Sequence, residues 1–198
     1  MHVYDYSFLK GRKVDSDIMG KAGSIERTDA SMDAPDILVE TVRDALELRA
    51  MMMSAADSDA VAGIPKGHNE EEIAGYRDAM RLICQEYESM DVGIDSILEI
   101  YSVLMGRNPD ANMGFKTMDN AILERDLSGR IIKVHDVVPA SEVEDNIRQL
   151  VRAFREARDD ADISNLLLIP CFMDDFLIIH PFEDGNGRMS LLLTTLLL

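Results

Sequence analysis

Apolar residues recur at helical spacing along most of this chain and change period once. Residues 1–34 are mixed. Tyr4, Tyr6, Phe8 and Leu9 read as an arm that docks on a core, and the stretch from Asp17 to about Ala30, broken by Gly20 and Gly23, reads as an interrupted helix. Pro35 suits a first helical turn, which Ile37, Leu38, Val42, Leu46 and Met53 continue. Residues 56–67, with Gly63, Pro65 and Gly67, read as a loop. Asn69 can then cap a strong helix with an acidic first turn and Ile73, Tyr76, Met80 and Ile83 on its buried face. A second apolar helix runs from Ile94 to Met105 through Ile97, Ile100, Tyr101 and Leu104.

The period changes from Gly114 to Val138, where Ala121–Arg125 and Arg130–Val134 flank Asp126-Leu127-Ser128-Gly129 and predict a β-hairpin. Alone in a helical chain, such a hairpin must lie against something. Beyond it, Ser141 and Glu144 have capping-box spacing and predict a helix to about Arg158, with Val143, Ile147, Leu150, Val151 and Phe154 inward. Its charges, Arg152 to Asp160, read as a solvated face. A further helix begins at Asp162-Ile163-Ser164. Residues 166–179 are apolar on most sides, which predicts a central buried helix in which Asp174 and Asp175 need polar partners or exposure. A polar loop, His180 to Arg188, separates this helix from a last apolar run, Leu191 to Leu198. The pattern predicts an all-α bundle carrying one hairpin, organised as N-terminal arm and helices over 1–67 and a core over 68–198.

Composition narrows the function. The chain has 198 residues, 46% hydrophobic, with a formal net charge of −17 and a pI near 4.5. No cluster of Lys and Arg suits a nucleic-acid backbone, so direct nucleic-acid binding is not expected. Cys84 and Cys171 are too few for a disulfide framework and read as small buried apolar residues. The start lacks a signal peptide, and no run is long enough to span a membrane, so the expectation is a cytoplasmic protein. The apolar run reaching Leu198 has no helix stop signal, which suggests a chain that continues.

The chemistry concentrates in His180-Pro181-Phe182-Glu183-Asp184-Gly185-Asn186-Gly187-Arg188. Gly185 and Gly187 permit positive φ and close backbone approach, and successive N–H groups there can form an anion-binding nest. The nest would sit at the N-terminus of the last helix, where orphan N–H groups and the helix dipole favour phosphate. Arg188 offers a planar fork for phosphate oxygens, and Asn186 a side-chain amide to hold an oxygen. Asp184 is a hard oxygen ligand of the kind Mg²⁺ takes alongside substrate phosphates. His180 can accept a proton near neutral pH. Each feature has a plainer reading: a His-Pro helix end, a Gly-Asn-Gly turn, an Asp184 N-cap. Together they suit transfer of a phosphate-containing group to a hydroxyl.

This stretch resembles the signature of the Fic (filamentation induced by cAMP) family, His-x-Phe-x-Asp/Glu-Gly-Asn-Gly-Arg-x-x-Arg. Every specified position matches up to Arg188, and Leu191 stands where the final Arg belongs. Glu72-Ile73, Tyr76 and Ala79 likewise resemble the helix that opens many Fic domains. The resemblance implies protein adenylylation: AMP moves from ATP to a Ser, Thr or Tyr hydroxyl of a target protein. His180 would be the general base and Asp184 would hold Mg²⁺. Gly185, Asn186 and Gly187 would cradle the α- and β-phosphates, and Arg188 would neutralise their charge. The hairpin, residues 121–134, would be the flap whose strand edge holds the target segment, with a purely structural hairpin as the other reading. Gly187 stands where the Doc-type kinases carry Lys, which favours AMP over phosphate. Transfer of another phosphate-containing group, removal of AMP, and a regulatory binding module remain alternatives, the last because Leu191 can neither bind a γ-phosphate nor pair with an inhibitory Glu. Candidates for that Glu are Glu47, on spacing, and Glu26. Homo-oligomerisation stays open.

Overall fold

The computed structural model describes residues 4–13, 70–125 and 131–198. The expected helices within 17–53, and with them Glu26 and Glu47, lie outside the described residues. Among the described residues there are five α-helices, α1 (Glu70–Glu86), α2 (Ile94–Met105), α3 (Val143–Arg158), α4 (Asn165–Ile179) and α5 (Asn186–Leu197), and one hairpin, β1 (Ala121–Arg125) with β2 (Ile131–Asp136). The predicted all-α bundle with a single hairpin is therefore the fold. The strands are antiparallel, pairing Ala121 with Asp136 and Ile122 with His135, with an irregularity between Glu124 and Arg125.

Helix α5 packs on α1, α2 and α4, α1 packs on α2, and α3 packs on α4 and α2. The shared core holds Tyr76, Ile83, Ile97, Ile100, Tyr101, Leu104, Ile147, Leu150, Phe154, Phe172, Phe176 and Phe182. Tyr4, Tyr6 and Leu9 are buried, as an arm docking on this core requires. Tyr4 donates to Asn146 Oδ1 on α3 at 2.8 Å, and Tyr6 donates to Asp175 Oδ2 on α4 at 2.8 Å. Thus Asp175 has the polar partner that an apolar helix demanded, and Asp174 is exposed. Phe8 departs from the arm's pattern and is exposed.

Several local expectations are corrected. Ile73 shares the stripe of Tyr76, Met80 and Ile83 yet is 41% exposed, because the stripe there runs past the C-terminal end of α2. Ser141 is not an N-cap. Residues Ala140–Glu142 form a 3-10 turn, α3 starts at Val143 without a side-chain cap, and the Ala140 N–H is taken by Asp119 Oδ1 at 2.8 Å. A distant carboxylate thus replaces the local capping box. Helix α4 is buried on one side only, with Pro170 and Ile178 exposed. Cys84 is exposed rather than buried, and Cys171 is half-buried.

Helices α1 and α2 cross closely at Gly75, where an added Cβ would lie 2.1 Å from the Leu104 carbonyl oxygen. Backbone cannot yield as a flexible side chain can, so overpacking outweighs the ~1 kcal/mol of helix propensity that Ala gains over Gly. We expect Gly75→Ala to destabilise the fold by about 2 kcal/mol or more, read as a thermal midpoint lower by roughly 4–8 °C.

Candidate active site

Helix α4 delivers His180 as its C-terminal cap in the left-handed region (φ 51°, ψ 62°), with the His180 N–H bonded to the Phe176 carbonyl at 3.0 Å. It is the only non-glycine residue with positive φ among the described residues. Pro181 follows it, where no helix can continue. The chain then folds inward so that Phe182 is fully buried, stacked on Tyr101 with centroids 3.6 Å apart and planes 7° apart. Gly185 (φ 79°) turns the chain into α5 as its N-cap, close against Tyr101, Leu104 and Met105. A side chain at that φ would be strained, which is why glycine is needed.

Asn186 is buried and its amide spans the loop. Its Oδ1 accepts from the Phe182 N–H at 2.9 Å, and its Nδ2 donates to the Phe182 carbonyl at 2.8 Å. The side chain expected to hold a ligand oxygen is therefore occupied by the loop's own backbone. What Asn186 keeps for an anion is its main-chain N–H, alongside those of Gly187 and Arg188 in the first turn of α5, which have no carbonyl one turn back.

Arg188 is 4% exposed. Its Nη2 lies 3.0 Å from Asp184 Oδ2 and its Nη1 3.2 Å from Glu72 Oε2, while Nε is buried without a hydrogen bond. Asp184 itself is open to solvent, its side chain 70% exposed. Its carbonyl accepts from the Tyr101 hydroxyl at 3.3 Å, and burial first, then the Asp184 and Glu183 charges, push the Tyr101 pKa up to about 12. Glu183 is exposed and accepts from Thr117 Oγ1 at 3.2 Å.

His180, Asp184, Gly185, Asn186, Gly187 and Arg188 all line one cavity of about 440 Å³. Leu177, Leu191 and Ile122 of β1 close its apolar side, so the hairpin does stand beside the loop. The imidazole Nδ1 is buried and makes no hydrogen bond. Burial holds the His180 pKa below the usual imidazole value, helped by the Lys116 cation and opposed by the Leu177 carbonyl and the Asp184 charge. Sequence reasoning missed Lys116 and Asn120, and it placed Tyr101 and Glu72 on helices without giving them a part in the site: all four reach it only through tertiary packing.

The exposed Asp184 carboxylate beside the N-terminus of α5 cannot hold a metal alone, and among the described residues no cluster of three potential ligands exists. It fits Mg²⁺ arriving with a nucleotide, since Mg²⁺ is usually bound by one or two carboxylates plus substrate phosphates.

The family model described as Fic/DOC family matches residues 91–198, more than half of the chain. The chain belongs to the Fic/DOC family. Solved Fic structures share its fold. A Fic-domain-containing signalling protein from Bacteroides thetaiotaomicron superposes with a TM-score of 0.64 at 18% identity, over 89% of this chain and 71% of that one. A Fic family protein from Desulfovibrio desulfuricans does so with a TM-score of 0.60 at 19% identity, over 95% and 59%. The Fic domain IbpAFic2, solved in complex with adenylylated Cdc42, gives 0.56 at 13% identity, over 83% and 56%. This chain thus spans little more than half of the last two. No curated protein matches the sequence. The Fic match begins after α1, yet α1 packs on both α2 and α5 and supplies Glu72 to Arg188. Among the described residues no helix is long and apolar enough to cross a membrane.

The buried imidazole makes a prediction about stability. Its folded pKa lies below the unfolded value of about 6.5, so the unfolded chain binds more protons in that window and stability falls as pH drops through it. The slope from one group is at most about 1.4 kcal/mol per pH unit. Urea unfolding between pH 5 and 7 is expected to show a shallower dependence in His180→Ala than in the parent chain.

Proposed function

We propose that this Fic-domain protein transfers AMP from ATP to a Ser, Thr or Tyr hydroxyl of a target protein. The observation that carries the reading is that a base, an exposed carboxylate, a helix N-terminus and a guanidinium face one cavity of about 440 Å³. A depressed pKa leaves the imidazole neutral near pH 7, ready to accept a proton. With Nδ1 buried, the acceptor is Nε2, which takes the hydroxyl proton as the oxygen attacks the α-phosphorus and pyrophosphate leaves in line. The first-turn N–H groups of Gly187 and Arg188, with the guanidinium, meet charge that grows on the phosphate oxygens. Asp184 would hold Mg²⁺, which screens the phosphate charges when bound. The target segment would add to the hairpin's strand edge over 121–134. That mode suits a hairpin beside the cavity, and IbpAFic2 is a neighbour captured with an adenylylated protein.

One observation favours a second reading, a regulatory module that binds a phosphate-containing ligand without transfer. Among the described residues Arg188 is the only cation lining the cavity, two carboxylates already hold it, and Leu191 offers apolar surface in the same cavity. Incubation with Mg²⁺ and labelled ATP separates the readings. Adenylylation predicts incorporation of α-label, into the chain itself or an added target, that His180→Ala abolishes. Incorporation of γ-label makes the protein a kinase. No incorporation, with nucleotide still bound by calorimetry, favours the module. Leu191→Arg restores one charge-assisted contact of roughly 1.5–3 kcal/mol. It is expected to tighten ATP binding by about tenfold or more, measured by calorimetry.

A further inference from the structure

Lys116 is 3% exposed, an unusual state for a lysine, and lies outside the signature around His180. Its position is unusual too. The Lys116 backbone N–H donates to the Pro181 carbonyl at 2.8 Å, and its ammonium donates to the Ile179 carbonyl at 3.4 Å. The two acceptors are the carbonyls on either side of His180 in the chain. The same ammonium donates to Asn120 Oδ1 at 2.8 Å, and Asn120 Nδ2 in turn donates to the Phe182 carbonyl at 3.2 Å. One short segment, 116–120, thus braces three carbonyls around the one strained non-glycine residue described.

We propose that Lys116 is a positioning residue for the proposed transfer: it braces the left-handed turn at His180 and sets a fixed positive charge behind the imidazole. A left-handed non-glycine residue costs free energy and persists only where its surroundings hold it. Lys116 supplies that hold with a main-chain and a side-chain donor. A cation on this side also disfavours the imidazolium, so the ring waits as a base. The other charged groups around the ring are Asp184, which opposes this effect, and Glu183 and Arg188, which line the same cavity. Asp119 faces Lys116 and favours its charged form, against the burial that lowers its pKa.

The role rests on the reading of His180 as the base, but its direct test does not need activity. Ring resonances of His180, assigned with His180→Ala, are titrated by NMR in the parent chain, Lys116→Met and Lys116→Arg. The expected result is a His180 midpoint raised in Lys116→Met and near the parent value in Lys116→Arg. If Lys116→Met does not fold, Lys116→Gln, which keeps an amide donor without the charge, is expected to raise the midpoint likewise. An unchanged midpoint in a folded, uncharged variant overturns the proposal. Where α-label transfer is present, Lys116→Met is expected to lower kcat about tenfold or more with KM for ATP nearly unchanged, and to move the acid limb of the pH profile upward. A parental kcat and acid limb would overturn it. Absent transfer in the parent chain, together with the expected shift in midpoint, overturns the proposed function and leaves the brace standing.

Discussion

The site depends on one pinned turn. Phe182 drives its ring into the core against Tyr101, and Asn186 grips the Phe182 N–H and carbonyl from four residues on. A buried backbone pair left unpaired would cost several kcal/mol, so the amide and the ring act as one device. With Phe182 fixed, His180 can only stand at the end of α4, and Gly185 can only turn into α5. The nest of N–H groups then faces the imidazole across a single cavity. The polar residues that a sequence motif presents as ligand binders thus divide in two: some hold the turn and others face the cavity.

The electrostatics follow the same division. The chain is strongly acidic, yet the cavity's cation, Arg188, is almost wholly out of water between Asp184 and Glu72. Burial of a guanidinium demands such partners. Because Glu72 comes from α1, that helix is joined to the N-terminal end of α5 by charge as well as by packing. Any anion that takes up Arg188 must displace or share these carboxylates.

Much of this architecture was legible in the residues. Helical spacing located α1, α2 and α3 because one-sided stripes such as Ile97–Ile100–Tyr101–Leu104 have a period that only a helix satisfies. The hairpin was legible from a change of period around the turn residues 126–129, and the candidate site loop from the density of chemistry between His180 and Arg188. What was not legible depends on how the chain closes on itself in three dimensions. Asp119 replaces a local cap for Ala140, Asn186 turns inward to a backbone it meets only after the loop closes, and Lys116 reaches carbonyls more than sixty residues away. Ile73 misled because periodicity reports the face of a helix and not how far a neighbour covers it.

The left-handed backbone at His180 has one more consequence. Among residues with a side chain, asparagine adopts this conformation with comparatively little strain, and it cannot act as a base near neutral pH. The bend and the reactivity at this position are therefore separable. A lineage carrying asparagine there could preserve the architecture of the loop and its cavity while giving up the imidazole.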